Sequence, residues 1–467
     1  MGLVDDLKDK FDKAQFVENL KEKLDYVQIA HKIIKDDVPL YYDSSKVWWQ
    51  WKINKWVIVD ETDIMNSVYD VMRDGGITSS RIKNQIMESF RMMARRNEPK
   101  IPSPDWIQFE DVVVDIKNNM VFSPSSKYFF KNVIPYKYEL KGETPKIDKF
   151  LDDITNGKKE YLFELMAYML YRDYPIQRFF FLLGSGSNGK GSFMRLVEKF
   201  LGKKNMTSSE LELLSSPHQR FEKIKLFSKL VCIIPETNVS MLKHTSLLKQ
   251  LCGGDMISGE FKNKGTLEFQ NYAKVIITSN SLPETSDKTI GFYRRCNFID
   301  FPNVYRDGKE VLDTIPNEEF SFLGFKLVGF LKSLISRGSF LNDVEVEERI
   351  RKYEERSNPI VKFLEEEVVY DEYCFVQKWE LRDAYRAWLL RRNFRNHSDR
   401  EMYMAFKHEG LDEQRKVLEW VDSDNPPRRW CYVGVRLKNK DIKSSSAGDF
   451  VGVGNKSYGG SVEYLRD

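Results

Sequence analysis

The 467-residue sequence predicts an α/β P-loop core, preceded by a mainly helical N-terminal domain and followed by a winged-helix-like domain. Three observations predict this. The stretch RFFFLLGSGSNGKGSFMRL (178–196) reads as apolar strand, glycine-rich turn and helix, and the spacing from Gly184 to Gly189 and Lys190 is that of a phosphate-binding loop. RFFFLL, KLVCIIP and NYAKVIITSN are fully apolar runs separated by loops and helices, as befits strands covered on both faces of a parallel sheet. Residues 358–438 read as helix, helix, helix and then an aromatic hairpin around RRWCYVGVRLK, an order that suits a winged helix.

The remaining segments follow in chain order. A hydrophobic fraction of 41% suffices for two or three domains with cores of their own. KVWWQWKINKWVIVDE reads as a β-hairpin joined at Lys52–Lys55, its tryptophans on one buried face and there for packing. Two helices follow, the first opening on Thr62 and stopping at Gly75–Gly76. The next forty residues are strands and loops. Asp111 and Asp115 within them suggest a metal-carboxylate pair, but they flank a valine run that reads as a buried strand turning at Asn118–Asn119. KIDKFLDDITNGKKEYLFELMAYMLYRD (146–173) reads as an amphipathic helical segment ended by Pro175, and 318–341 as helix. The domains expected are 1–145, a collar segment 146–175, the α/β core 176–345, the winged-helix-like part 358–440 and a Ser/Gly-rich tail 441–467.

Charge and cysteines exclude several classes. Lys+Arg 73 against Asp+Glu 70 leaves a net charge of +3, so any nucleic-acid surface must be local. The cysteines, Cys232, Cys252, Cys296, Cys374 and Cys431, have no paired spacing, which argues against zinc and disulfides and for a reducing compartment. The N-terminus lacks an apolar run for a signal peptide or membrane span, and MGLVDD lacks the hydroxyl residue of a myristoylation signal. These features lead us to expect a soluble protein of the host-cell cytoplasm, not secreted and without a membrane partner.

Nucleotide hydrolysis needs amides around phosphate, a lysine on the β/γ oxygens, a carboxylate near metal and water, a polar sensor and a positive charge for the transition state. Each has a candidate. Gly184, Ser185, Gly186, Ser187, Asn188, Gly189, Lys190, Gly191 and Ser192 form the ATP-binding cradle, ahead of a helix whose positive end adds to it. Glu236 ends the second apolar run, and the carboxyl ends of parallel strands converge on the ligand crevice. Asn280 ends the third run, and Arg294 and Arg295 follow in GFYRRCNFIDF, beyond the sheet's last loop, where an arginine can reach a neighbouring subunit's nucleotide. Singly, each has a plain alternative: a helix cap, a turn residue, a solvated pair. Their order on successive buried strands favours the functional reading.

The set GSGSNGKGS, IIPETN, LLKQLCGGDMISGEFKNK, IITSN and FYRRCNFIDF resembles the superfamily 3 (AAA+) helicases, more narrowly the helicase part of phage, plasmid and poxvirus-type primase-helicases. The resemblance is strong over about residues 160–305, and KQLCGGD is its most specific segment. It implies an ATP- and Mg2+-dependent DNA helicase that assembles as a homohexameric ring. Such a ring would translocate 3′ to 5′ on single-stranded DNA and unwind forked DNA for a virus, plasmid or mobile element. It implies Lys190, Glu236 and Asn280 as catalytic, Arg294 as arginine finger with Arg295 second, and Lys249, Lys262 and Lys264, the last two near a hairpin tip, as DNA contacts. Such contacts track a backbone without reading sequence.

Two positions depart from that pattern. Many members carry two acidic residues where this chain has Pro235–Glu236, so Mg2+ would lean on Asp255, Thr237 or waters. Gly191 stands where a hydroxyl normally follows the lysine, so Ser192 is expected to reach the metal, permitted by a loose backbone at Gly191. No carboxylate cluster of a primase is evident, so any priming enzyme is a separate polypeptide. In QKWELRDAYRAWLLRRNFRNH the basic residues Lys378, Arg382, Arg386, Arg391, Arg392 and Arg395 suit either duplex backbone or solvent, and DNPPRRWCYVGVRLK would be the wing. The main alternative is an origin-binding initiator ATPase that does not unwind processively. A small-molecule kinase or an inert scaffold are further rivals.

Overall fold

A computed structural model describes residues 39–74, 79–184, 186–216, 218–219, 221–235, 241–261, 266–305, 311–392, 394, 397–417 and 428–438. They fall into two compact units, one reaching Ser357 and one beginning at Asn358, with 393–395 grouped with the first.

The first unit opens on an antiparallel sheet of β1 (Leu40–Tyr42), β2 (Trp48–Lys52) and β3 (Lys55–Val59). Positive φ at Ile53 (44°) and Asn54 (61°) makes the two-residue hairpin turn that matches strand twist, with Lys52 opposite Lys55. The tryptophans do not share one face. Neighbours alternate sides along a strand, yet Trp48 and Trp49 are both buried. Trp48 packs on Tyr42 and donates to Glu61, whereas Trp49 packs on Phe129 and donates to Asp43. Both faces of β2 are therefore covered. The helices Glu61–Asp74 and Ser80–Arg96 follow, and the capping pair Gly75–Gly76 lies outside the described residues.

A second small sheet holds β4 (Trp106–Gln108), β5 (Val113–Asp115) and β6 (Met120–Phe122). Asp115 is 1% exposed and accepts from the Trp106 indole, the backbone of Lys117 and Asn118, and the Asn118 amide. Asp111 accepts from the Tyr138 amide. Asp115 fixes the turn between β5 and β6, and Asp111 ties its loop to the segment at Tyr138, so both carboxylates have structural partners.

The 146–173 segment is two helices rather than one. Pro145–Thr155 and Lys159–Met169 are separated at Asn156 (φ 53°) and Gly157 (φ 83°), left-handed conformations that an Asn-Gly pair adopts cheaply. The second packs on the long helix Asn317–Arg337, with Phe163 stacked on Phe330.

The central sheet is parallel, in the order β15 (Cys296–Asp300), β7 (Phe179–Leu183), β13 (Lys274–Ser279), β9 (Val231–Ile234), β8 (Met206–Ser208). The three apolar runs occupy the inner positions. The edges β8 and β15 are short or carry polar residues, which a strand with one neighbour tolerates. Arg294 and Arg295 thus precede a fifth strand instead of lying beyond the sheet. Two residues each of β10 (Met241–Leu242) and β14 (Glu284–Thr285) pair, and β11 (Met256–Glu260) with β12 (Thr266–Gln270) form an antiparallel hairpin. One apolar cluster runs from Ile107 to Tyr353, so the segments from β4 onward share the core of the central sheet, while Tyr41, Val47, Trp49 and Trp56 form a cluster of their own.

The second unit runs helix Pro359–Glu367, β16 (Val368–Gln377), helices Lys378–Arg391 and Asp399–His408, then β17 (Glu413–Val417) and β18 (Arg428–Leu437). Its antiparallel sheet has the order β16-β18-β17. The helices and the hairpin match the reading above, but β16 does not. Its residues VVYDEYCFVQ carry charges and a register irregularity between Tyr370 and Phe375, which hides the alternation expected of a strand. The tail 441–467 lies outside the described residues. All five cysteines are free, and among the described residues no helix is long and apolar enough to cross a membrane.

Candidate nucleotide-binding site

The phosphate loop leaves the carboxyl end of β7. The Gly184 amide donates to Ser279 O at the end of β13 (3.3 Å), tying the loop to the strand that delivers Asn280. Lys190 opens the helix Lys190–Leu201 and is 7% exposed. Its ammonium donates to Gly184 O (2.5 Å) and to Asn280 Oδ1 (3.3 Å). Two residues separated by ninety positions in the chain are thereby brought together.

The loop owes its shape to backbone conformations that favour glycine. Gly186 (φ 97°), Ser187 (φ 47°) and Gly189 (φ 89°) take left-handed angles, and the Gly186 amide donates to Gly184 O across the turn. A Cβ on Gly184 would overlap the Asn188 amide, and one on Gly189 would come within 2.6 Å of Ile154 Cγ2. The Asn188 side chain is 3% exposed; its Oδ1 accepts from the Lys190 amide, while its Nδ2 has no partner among the described residues. A buried donor of this kind is costly unless something accepts from it. A glycine-shaped loop, a buried lysine and an orphaned donor fit a phosphate-bearing ligand. Ser185 lies outside the described residues.

At Gly191 the structure corrects the expected loose backbone. The residue is helical, without a positive φ, and a Cβ there would meet nothing within 4 Å. The missing hydroxyl is therefore not imposed by space or conformation. Ser192 stands one residue further into the helix, and its Oγ accepts from Arg195 (3.1 Å). Glu236 and Thr237 lie outside the described residues, immediately after Pro235 at the end of β9. Asp255 is at the wrong end of the sheet to assist a metal at the loop. It follows Gly253, whose carbonyl accepts from Gln177 just before β7 begins. Among the described residues no cluster of three or more His, Cys, Asp or Glu could hold a metal ion.

Arg294 and Arg295 sit at the amino end of the same strand. The Phe179 amide donates to Arg295 O, so the pair is about 15 Å from the phosphate loop along β7, given ~3.3 Å per residue. Their environments differ. Arg294 is exposed and donates to Gln177 Oε1 (3.1 Å). Arg295 is half-buried and donates to Gly291 O (2.6 Å) and Gln177 Oε1 (2.9 Å). Gln177 therefore joins both arginines to the Gly253–Gly254 turn. That turn needs its glycines: Gly254 has φ 85°, and a Cβ on Gly253 would come within 2.7 Å of Lys249 O. Arg349, 3% exposed on the helix Val346–Ser357, donates to Arg294 O and Val344 O and pairs with Asp343. Sequence reasoning missed Gln177 and Arg349. Each is a single polar residue without a local pattern, and only the fold gives it a role.

Of the lysines expected on DNA, Lys249 is half-buried and paired with Asp287 at 2.8 Å. Burial pushes the Asp287 carboxyl up, but hydrogen bonds from Lys249, Thr289 and Thr245 outweigh it and hold it well below the usual carboxylate range. A DNA phosphate would have to compete with this pair. Lys262 and Lys264 lie outside the described residues, between the paired ends Glu260 and Thr266 of the β11–β12 hairpin.

Two family models match the chain: one described as D5 N terminal like, over residues 25–156, and one described as a family of unknown function (DUF5906), over 182–295. A protein of Acanthamoeba polyphaga mimivirus named "Putative helicase L207/L206" is 26% identical over 181 residues, 37% of this chain. The match spans only 18% of that relative's length. Among solved structures, two apo structures of the NrS-1 C-terminal region, one of them of its residues 305–718, cover 88% of this chain and 100% of their own. They share 13% and 14% identity, with TM-scores of 0.45 and 0.46.

Proposed function

We propose that this chain is an ATP-dependent DNA helicase of the superfamily 3 (AAA+) type that assembles as a ring, translocates on single-stranded DNA and unwinds forked duplex for replication. The observation that carries the reading is Lys190, buried at the head of its helix with its ammonium between Gly184 O and Asn280 Oδ1 at the carboxyl ends of adjacent strands. The mimivirus similarity and the D5-like match support a helicase related to viral replication.

ATP bound in the loop supplies the phosphoanhydride bond, and Mg2+ the counter-charge for its phosphates. Lys190 would exchange Gly184 O and Asn280 Oδ1 for phosphate oxygens, loop amides and Asn188 Nδ2 would hold the remainder, and Asn280 would orient the attacking water. Glu236, by its position after β9, would polarise that water, and Ser192 would be the residue that holds the metal. Arg294 is exposed at the far end of β7 and acts on a neighbouring subunit's nucleotide, with Gln177 and Arg349 fixing its backbone and side chain. Lys262 and Lys264 contact the single strand. The winged-helix order of the second unit adds a DNA-facing module.

Strand separation on a labelled fork tests the reading: the wild-type chain with ATP releases the labelled strand and Lys190→Ala does not. ATP turnover without any strand release, together with tight duplex binding, would favour the initiator reading instead.

A further inference from the structure

The second unit carries two basic surfaces of opposite character. On the helix Lys378–Arg391 and the residue after it, every cation among Lys378, Arg382, Arg386, Arg391 and Arg392 is paired. Lys378 meets Glu413 (2.9 Å), Arg382 and Arg386 meet Asp399 (3.5 and 2.5 Å), Arg391 meets Glu367 (2.8 Å) and Arg392 meets Glu366 (2.6 Å). The outer end of the β17–β18 ribbon is different. Arg415, Lys416, Arg428 and Arg429 have no carboxylate within ion-pair distance among the described residues. Arg415, Arg428 and Arg429 are exposed and Lys416 is half-exposed.

The register distributes these charges over both faces of the ribbon. Arg415 lies opposite Trp430, Lys416 opposite Arg429 and Val417 opposite Arg428. Opposed residues share a face and successive ones alternate, so Arg415 and Arg428 project from one side and Lys416 and Arg429 from the other. A single strand lying along a surface would meet one of these pairs. A groove bounded by two phosphate rows meets both, and the major groove of duplex DNA, about 12 Å wide, admits a two-stranded ribbon. Trp430 is 48% exposed, but its ring carries the Arg415 guanidinium at 5.0 Å and the Lys378 ammonium at 5.9 Å, so cations rather than a base occupy it.

We propose that the outer end of the β17–β18 ribbon, rather than the basic helix, is a docking element for duplex DNA, with Arg415 and Arg428 facing one phosphate row and Lys416 and Arg429 the other. Contacts of this kind set affinity and orientation without reading sequence. The inference does not rest on the helicase reading, since it concerns duplex binding without nucleotide.

Full-length protein is titrated by fluorescence anisotropy against a labelled blunt duplex and against one of its strands, over a salt series without ATP. The variants are Arg415→Ala/Arg428→Ala, Lys416→Ala/Arg429→Ala and, on the helix, Arg391→Ala/Arg392→Ala, each checked for an unchanged thermal midpoint. Each ribbon pair should lose duplex affinity on the order of tenfold per cation removed at about 0.1 M salt, with the slope of log affinity on log salt shallower by about 0.9 per contact. The helix pair should change it by less than about threefold, because those cations are already neutralised. Wild-type duplex affinity in both ribbon pairs would overturn the proposal. A larger loss in the helix pair, or an equal loss of single-strand binding in the ribbon pairs, would also overturn it. ATP hydrolysis stimulated by single-stranded DNA is read in parallel. Its absence from every protein would count against the helicase reading alone.

Discussion

The two ends of the central sheet handle buried cations in opposite ways. At the amino end, Lys274 opens β13 with no exposure, and its ammonium donates to the carbonyls of Tyr171, Asp173 and Tyr272 at 2.7–2.8 Å. Arg178 forms a two-point pair with Asp343, and Arg349 binds the same carboxylate and two carbonyls. At the carboxyl end, Lys190 is nearly as buried, but its partners include a loop carbonyl and a movable side-chain amide, beside an orphaned Asn188 donor. A lysine fixed by backbone acceptors holds the fold together. One whose partners can be exchanged for a ligand's oxygens is positioned to act.

The sharpest break in that comparison is Arg294, the exposed member of the amino-end set. Under the proposed role in trans, Arg294→Ala lowers kcat by about a thousandfold while stability changes by less than about 0.5 kcal/mol. Arg295 binds Gly291 O and lies against Cys252, so Arg295→Ala should show the reverse ranking, with the larger effect on stability. Mixing Arg294→Ala with Lys190→Ala protein separates the roles: activity regained in mixed assemblies supports action across an interface, and none regained contradicts it.

Next in size is Lys274→Met, which leaves three buried carbonyls without their donor. It should cost about 3 kcal/mol or more in chemical denaturation, since an unsatisfied buried polar group costs ~1–3 kcal/mol. Turnover per folded molecule should stay at the wild-type level. A fall in kcat with intact stability would erase the distinction between the two ends.

The Lys249–Asp287 pair gives a smaller effect with a pH signature. A carboxyl held below its unfolded value contributes stability above about pH 4, and that contribution fades as pH falls further. Asp287→Asn should therefore lower stability by about 1–2 kcal/mol at neutral pH and flatten the acid limb of the unfolding curve. An acid limb identical to wild type would remove the pair from the account.

The smallest effect is at Gly191. Because a Cβ there meets nothing, Gly191→Ser should raise stability by about 0.5 kcal/mol through helix propensity and leave turnover intact. If Ser192 supplies the hydroxyl, Ser192→Ala should lose activity and regain part of it with Gly191→Ser added. Unaltered turnover in Ser192→Ala would remove that role.

What the sequence reveals follows from how many neighbours an element has. β7, β9 and β13 are covered on both faces and paired on both edges, so their apolar runs stand out. Among the described residues β8 and β15 pair on one edge and need no such run, and the charged β16 pairs only with β18. Within the site, Lys190 and Asn280 are legible because strand ends in a parallel sheet converge. Gln177 and Arg349 are not, because their partners Gly253 and Arg294 come from other elements. The basic helix misleads for the same reason: Glu366, Glu367, Asp399 and Glu413, which neutralise it, lie outside it.

ATP hydrolysis by the purified chain, with and without single-stranded DNA and beside a Lys190→Ala control, tests the central claim most directly. The account predicts turnover that DNA stimulates and that the substitution lowers by about a hundredfold or more. Turnover absent under both conditions in folded, assembled protein, or equal in Lys190→Ala, would contradict it.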